Sequence, residues 1–404
     1  MDLHTLALDT GFLSVFRSLG EEPLVQHYRA VLEALETSPA AFASAYGALC
    51  EAVYRVGDSG AALNSLIHCN SNPLTDAIDR PSEALLHAAT HDVHTLAALA
   101  ALDGQTLLEA AAAAFGPQMP DLRTLPGFPA GSPLPFSDGE SLTAYYQEKG
   151  FGYFAGATFF TIDKNRLVPV AHPDPVRLTD LKGYARQKEQ VRVNTKAFLA
   201  GHAANNILLY GDKGTGKSST VKAIVNEYAD RGLKIIELSV AQIPAFPMIC
   251  RYAAHSPFKI IVFLDDLTFD REDDNFAMLK AFIEGGLTGK PDNLILYATS
   301  NRRHLIRETF ADRQGDDVHR RDTLETITSL SDRFGLEITF SVPDRDEYLD
   351  IVDELAADCG LQIAPDELHM LAERFALRRN GRSPRTARQF IQMQIAEGVQ
   401  ESLK

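Results

Sequence analysis

Apolar residues in the first 116 positions recur at the spacing of a helix with one buried face. Leu24, Tyr28, Val31, Leu32 and Leu35 form one series, and Tyr46, Leu49, Val53 and Tyr54 another. Breaks fall near Gly20, Ser38-Pro39, Gly57 to Gly60, Asn70 to Pro73 and Arg80-Pro81. Ser82 opens a long helical pattern that ends near Leu102, Gly104 interrupts it, and Leu107 to Phe115 continues as an Ala-rich helix. The pattern predicts a small helical bundle as an N-terminal domain over 1–116. Residues 117–175 read differently. Gly116 to Gly139 is dense in Pro and Gly and reads as a linker or as a loop laid over a surface. Tyr153, Phe154, Phe159, Phe160 and Ile162 then lead to a turn at Asp163-Lys164-Asn165 and on to Leu167-Val168, a β-hairpin pattern whose aromatics are expected to pack against the next domain, with a binding platform the alternative.

From about Val176 short apolar runs alternate with helical segments. The runs are Asn206–Tyr210, Lys234–Leu238, Ile260–Leu264, Leu294–Thr299 and Leu336–Phe340. This alternation predicts an α/β domain over 176–341, with a parallel five-stranded sheet covered on both faces. Ligands in such folds bind at the carboxyl ends of the strands. Beyond Pro343 the pattern is helical again, over Asp346 to Cys359, Pro365 to Phe375 and Pro384 to about Leu403. These segments predict a C-terminal helical lid over 342–404.

Charge changes this picture at its two ends. The chain of 404 residues carries a net charge of −15. Residues 1–175 hold 8 basic and 20 acidic side chains, a poor surface for nucleic acid, whose phosphates must be neutralised. Arg374, Arg378, Arg379, Arg382, Arg385 and Arg388 concentrate positive charge in the lid. Nucleotide sensing and subunit salt bridges are the simpler use of that cluster, and nucleic acid the alternative. No stretch is apolar and long enough to span a membrane, and Met1-Asp2-Leu3-His4 lacks the basic start of a signal peptide. A cytoplasmic location is expected. The cysteines Cys50, Cys69, Cys250 and Cys359 are far apart, which suggests buried free thiols.

The chemistry concentrates in Gly211-Asp212-Lys213-Gly214-Thr215-Gly216-Lys217-Ser218, which fits the phosphate-loop pattern G-x-x-x-x-G-K-S/T. A strand runs into it and a helix starting at Ser218-Ser219 leaves it. Glycines let backbone N–H groups turn toward phosphate oxygens, and the helix N-terminus adds partial positive charge. Lys217 is placed to reach the β- and γ-phosphates of ATP, and the Ser218 hydroxyl to hold Mg²⁺. A chance Gly-rich turn is the bland alternative, and the later strands weigh against it. Ile260–Leu264 ends in Asp265-Asp266. Asp265 would sit near the metal and Asp266 would act on the attacking water as general base. The fourth strand ends in Thr299-Ser300-Asn301. Asn301 could hold that water or the γ-phosphate, although an Asn there alone would simply form a turn. His87, His91 and His94 share one helix face. A solvated or partner-facing stripe is the simpler reading of them, and a zinc site the alternative.

Together these residues resemble the AAA+ ATPases over roughly 175–404. The resemblance makes Gly211–Ser218 the Walker A motif, Ile260–Asp266 Walker B and Asn301 sensor 1. Ser329 to Gly335 looks like the segment that carries the arginine finger, here Arg333, which in the family reaches the γ-phosphate of the neighbouring subunit. Ser383 to Arg388 looks like the start of the sensor 2 helix, with Arg385 the sensor and Arg388 its competitor. Asp180, Leu181, Gly183 and Tyr184 match the segment packed around adenine. Within AAA+, Asn205 to Leu209, Asp265 to Phe269, Glu284-Gly285-Gly286 and Thr299 to Ile306 look like the bacterial family of domain of unknown function 815. The resemblance implies an oligomeric ATPase using ATP and Mg²⁺, with the helical N-terminal domain recruiting a protein partner. The alternative is a slow, nucleotide-dependent scaffold or loader near DNA. Two departures matter. Most AAA+ ATPases carry Asp-Glu where this chain has Asp265-Asp266, which favours slow hydrolysis. The stretch Ala241 to Met248 holds two prolines and lacks the glycine of a polypeptide-threading pore loop. The polar run Arg307 to Thr328 reads as a surface insertion.

Overall fold

A computed structural model of the chain describes residues 2–254, 256–269, 274–283, 291–301, 333–379 and 381–402. The chain forms two compact units, 1–156 and 157–404.

The N-terminal unit is helical. Its elements are α1 (Leu3–Gly11), α2 (Pro23–Ala34), α3 (Pro39–Val56), α4 (Ser59–Cys69), a short α5 (Pro73–Asp76), α6 (Glu83–Ala101), α7 (Gly104–Phe115) and α8 (Gly139–Lys149). Polar caps start most of them. Ser38, Asp58, Ser82, Asp103 and Asp138 each accept a backbone N–H from the first turn that follows, satisfying donors the helix itself cannot. The apolar series read from the sequence turn inward, with Tyr28, Val31, Leu49, Val53, Leu96 and Leu107 buried in one core.

Of the two readings of the segment after residue 116, the structure has the loop laid over a surface and not the linker. Phe128 and Phe136 enter the same core, together with Leu142 and Tyr146 of α8. The Pro/Gly segment is a strap fixed to the bundle by backbone groups. Gly104 N donates to Phe128 O (2.9 Å) and Gly131 N to Ala100 O (2.8 Å), while the Tyr46 hydroxyl donates to Pro126 O (2.7 Å). Proline density reflects an extended course here, and apolar side chains decide where the segment lies. The histidine stripe also resolves. His91 Nδ1 lies 3.1 Å from Asp92 and its Nε2 faces Asp9, whereas His87 and His94 are exposed. Buried Asp92 in turn accepts from Ser14 N and Phe16 N, both at 2.9 Å. Among the described residues no group of three or more metal-ligating side chains occurs.

The C-terminal unit is built on a sheet of β1 (Phe159–Asp163), β2 (Arg166–Pro169), β3 (Ile207–Gly211), β4 (Leu233–Leu238), β5 (Lys259–Leu264), β6 (Leu294–Ser300) and β7 (Leu336–Phe340). Among the described residues the order is β2-β1-β4-β5-β6-β3-β7. The five expected strands are all present and run parallel. The hairpin β1–β2 adds two more. It is no part of a linker, because β1 pairs in parallel with β4 (Phe160 with Ile236) and makes the sheet seven-stranded. A lone hairpin is marginal in water. Docking on β4 buries Phe159, Phe160, Ile162 and Leu167 and covers what would otherwise be an open edge.

Helices α9 (Ala185–Leu199), α10 (Lys217–Tyr228), α11 (Phe246–Ala254) and α12 (Asp274–Ile283) accompany the sheet. Buried Tyr297 of β6 is satisfied by α9, with Thr195 Oγ1 at 2.7 Å and Asn194 Nδ2 at 3.3 Å from its hydroxyl. Burial pushes that phenol up to about 12. The lid is α13 (Arg345–Asp358), α14 (Pro365–Arg378) and α15 (Pro384–Ser402), packed through Tyr348, Val352, Ala372, Phe390 and Ile391. No single helix among the described residues is long and apolar enough to cross a membrane. Of the four cysteines only Cys50 is fully buried, Cys69 and Cys250 are half-buried, and Cys359 is exposed.

Candidate nucleotide site

Strand β3 ends at Gly211, where the chain turns away with φ 132°. A Cβ there would lie 2.2 Å from the Phe340 carbonyl oxygen, so only glycine fits between the loop and β7. The loop is then pinned. Asp212 N donates to Phe340 O (3.0 Å), and Thr215 Oγ1 donates to Asp212 O (2.8 Å). Left-handed Gly216 precedes α10, which opens at Lys217 without a capping side chain. Its first N–H groups are thereby left for a ligand.

Lys217 is 6% exposed. Its ammonium donates to Gly211 O (2.9 Å), Asp212 O (2.7 Å) and Asn301 Oδ1 (3.2 Å). Burial holds its pKa below the usual lysine value, and the Asp212, Asp266 and Asp265 carboxylates oppose that shift. Ser218 Oγ and Thr299 Oγ1 both donate to Asp265 Oδ1, each at 2.6 Å. Asn301 Nδ2 donates to Asp266 Oδ1 at 2.5 Å. Asp266 itself has φ +54°, an uncommon conformation for a residue with a side chain. The donors suit a hard divalent cation such as Mg²⁺. The Ser218 hydroxyl proton is spent on Asp265 and its lone pairs remain for a metal, in an all-oxygen set completed by phosphates and water.

These groups line a cleft of about 590 Å³ between the strand ends and the lid. Tyr184, with φ +53°, lies 5.1 Å from the Phe340 ring and donates to Ser341 O (2.6 Å). Lys188 Nζ donates to Leu181 O (2.5 Å). The lid touches the phosphate loop directly. Arg385 N donates to Gly214 O (3.2 Å), Arg388 Nη2 donates to Asp180 O (2.6 Å), and Lys182 pairs with Asp358 at 2.6 Å.

Most residues singled out from sequence meet here. Lys213 to Ser219, Asp265, Asp266, Asn301, Leu181, Gly183 and Arg385 all line the cleft. Gly211 and Asp212 shape the loop from behind, and the Asp212 carboxylate accepts from Val342 N (3.0 Å) at the hinge to the lid. Asp180 enters only through its carbonyl. Its carboxylate caps its own turn, accepting from Arg177 N (2.8 Å). Arg333 is half-buried and is not among the cleft residues. The rest of its segment, 329–332, lies outside the described residues, as do 284–286, 302–306 and 307–328. Sequence reasoning missed Thr299, Lys188, Gln389 and Gln392 as cleft residues. The signal for Thr299 was its place at a buried strand end beside Asn301.

The family described as "Protein of unknown function (DUF815)" matches residues 155–398. The chain belongs to that family. In its phosphate loop, strand-end carboxylates and helical lid it resembles the AAA+ ATPases. Over 170 residues it is 29% identical to the replication factor C large subunit of Thermococcus kodakarensis, a match covering 41% of this chain and 34% of that one. The chain therefore spans about a third of the length of that curated relative. Among solved structures, the RuvB Holliday junction branch migration motor of Thermotoga maritima aligns at 17% identity and TM-score 0.37, covering 54% of this chain and 63% of that one. A point mutant of the same RuvB aligns at 17% identity and TM-score 0.38, covering 54% and 64%.

Proposed function

We propose that this family member binds ATP with Mg²⁺ in the cleft, hydrolyses it slowly, and uses the cycle to move the lid and a bound partner. The observation that carries this reading is one continuous hydrogen-bonded chain. It runs from Lys217 through Asn301 to Asp266, and from Ser218 through Asp265 and Thr299 back to Asp266 N. The loop N–H groups and Lys217 bind the β- and γ-phosphates. Ser218 and Asp265 hold the cation. When bound, Mg²⁺ neutralises charge that develops on the phosphate oxygens. Asp266 orients and deprotonates the attacking water, and Asn301 fixes its position. Leu181, Gly183 and Tyr184 flank the base, and Arg385 follows the phosphates from the lid. Asp266 is one methylene shorter than the glutamate common at this place, and a misplacement of about 1 Å can cost about 10²-fold in rate.

Arg333 completes the site of a neighbouring copy in a homo-oligomer of cytoplasmic protein, and the acidic helical unit recruits the partner. Peptide threading is disfavoured. Phe246, the aromatic of the 241–248 stretch, is buried and stacked on Phe282 with centroids 4.1 Å apart. The test is steady-state ATP hydrolysis against protein concentration, with Lys217→Ala and Arg333→Ala alongside. Specific activity that rises with concentration and is lost in both variants supports the reading. A wild type that binds ATP yet stays inactive at every concentration overturns hydrolysis.

A second reading, a switch or loader near DNA with little turnover, draws support from the 2.5 Å Asn301–Asp266 bond, which occupies the base. The name of the replication factor C relative points the same way. The lid arginines lend it less. Arg382 is committed to Glu373 by two bonds of 2.7 and 2.9 Å, and Arg379 lies over the Phe375 ring. Stimulation of hydrolysis by DNA, with steep salt dependence, separates this reading from the first.

A further inference from the structure

We infer that Thr299 is a positioning residue that aims the two strand-end carboxylates at different tasks, Asp265 at the cation and Asp266 at the attacking water. This rests on the ATPase reading above. Thr299 is 2% exposed, so water does not compete for its bonds. Its hydroxyl has one proton, and that proton goes to Asp265 Oδ1 at 2.6 Å. The Thr299 hydroxyl oxygen itself accepts from Asp266 N at 2.9 Å. Its carbonyl accepts from Leu267 N at 2.7 Å. One residue on β6 thus holds three successive residues where β5 ends.

Two consequences follow for the chemistry. Asp266 adopts φ +54°, a conformation that persists in a non-glycine residue only where its surroundings over-determine it. The two N–H bonds to Thr299, at residues 266 and 267, supply that restraint. The turn they fix sends the Asp266 carboxylate to Asn301 while the Asp265 carboxylate stays with Ser218. Meanwhile Ser218 and Thr299 both donate to Oδ1 of Asp265, which leaves its Oδ2 without a protein donor among the described residues. That oxygen is the one free to reach the hydration shell of a divalent cation. A threonine serving only as a β-branched strand residue would explain neither the shared hydroxyl nor the left-handed Asp266.

The experiment separates hydroxyl from shape. Thr299→Val keeps the branch and loses the hydroxyl, and Thr299→Ser keeps the hydroxyl. Thr299→Ala is the second hydroxyl-free variant, should Val disturb the packing. Binding of a fluorescent N-methylanthraniloyl ATP is followed as Mg²⁺ is titrated, beside steady-state hydrolysis. In the Val and Ala variants we expect metal-free nucleotide affinity within about 3-fold of wild type. The Mg²⁺ needed for half-maximal tightening should rise about 10-fold, and kcat should fall about 10²-fold, the scale of a roughly 1 Å misplacement. Ser should recover both to within about 3-fold of wild type. Val and Ala variants with wild-type Mg²⁺ dependence and kcat overturn the proposal, as does a Ser variant no better than they are. A wild type that binds no nucleotide overturns the ATPase reading itself, an outcome distinct from the other two. A wild type that binds without turnover leaves the Mg²⁺ titration to decide.

Discussion

Asp266 and Lys217 are the two side chains whose chemistry is most exposed to test, and they share Asn301. Replacing Asp266 with Asn preserves the shape and the backbone turn but removes the carboxylate proposed as the base. Hydrolysis should fall by about 10²–10⁴-fold, the usual contribution of a general base, with nucleotide affinity nearly unchanged. A comparable loss of binding would show that Asp266 organises the phosphate site instead. Lys217 gives a pH signature. Burial lowers its pKa, so the free protein gives up this proton below the usual value of 10.5. ATP attraction requires the proton. Affinity should therefore weaken as pH rises through the lowered pKa, while Lys217→Arg stays flat over the same range. The sign for stability runs the other way. The penalty for burying the ammonium is present below the folded pKa and relieved as pH rises toward 10.5. An affinity that stays constant to pH 10.5 would refute the role. Lys217, Ser218, Asp265 and Asp266 were legible in the sequence because phosphate chemistry demands those types at fixed spacing around a strand end. For Thr299 only its place at the strand end was legible, because a threonine in an apolar strand looks the same whether or not its hydroxyl is used.

At the scale of elements, the phosphate loop and the lid are coupled through backbone. Gly214 has φ +80°, and a Cβ on it would lie 3.2 Å from both Arg385 Cβ and Ser383 Oγ. Gly214→Ala strains the loop and crowds the start of α15, where Arg385 N donates to Gly214 O. Nucleotide affinity should drop by about 10-fold or more, since strain of this kind costs on the order of 1–3 kcal/mol. Isothermal titration with ATP checks it, and unchanged affinity would mean that loop and lid move independently. In the N-terminal unit Asp58 does a similar joining task. It caps α4 through Ala61 N (3.0 Å) and holds the strap through Ser132 N (2.9 Å) and the Ser132 hydroxyl. Those bonds lower its pKa from 3.8 to about 2. A depressed carboxylate stabilises the fold above its unfolded pKa and loses that contribution as pH falls through the folded one. The melting temperature of Asp58→Asn should therefore lie below that of wild type at pH 7, and the gap should close between about pH 4 and pH 2. The helices and five strands were readable from periodicity, which is local. The anchors of the strap and the strand that the hairpin pairs with were not. Each depends on partners far away in sequence, Phe128 on Gly104 and Phe160 on Ile236, and a Pro-rich or isolated hairpin pattern carries no mark of them.

For the molecule as a whole, the decisive question is whether one copy can complete the site of another. Arg333 is the residue on which this turns. Lys217, Ser218, Asp265, Asp266 and Asn301 all converge within one chain, but Arg333 is not among the residues lining that chain's cleft. An arginine that serves only a neighbour implies a head-to-tail contact, in which one face supplies the site and the opposite face supplies the guanidinium. Such an arrangement predicts complementation. Lys217→Ala has a dead site and an intact Arg333, whereas Arg333→Ala has an intact site and no arginine to lend. Each alone should be inactive. Mixed in equal amounts under conditions that allow subunit exchange, half the intact sites gain an arginine from a Lys217→Ala neighbour. Because only half of all subunits carry intact sites, the recovered rate should approach about one quarter of wild type in a head-to-tail ring. Stimulation by an arginine in trans is worth about 10³–10⁵ in related phosphoryl transfers, so even partial recovery would stand far above either parent. If each copy uses its own Arg333, mixing restores nothing, and the oligomer is then irrelevant to the chemistry even if it forms.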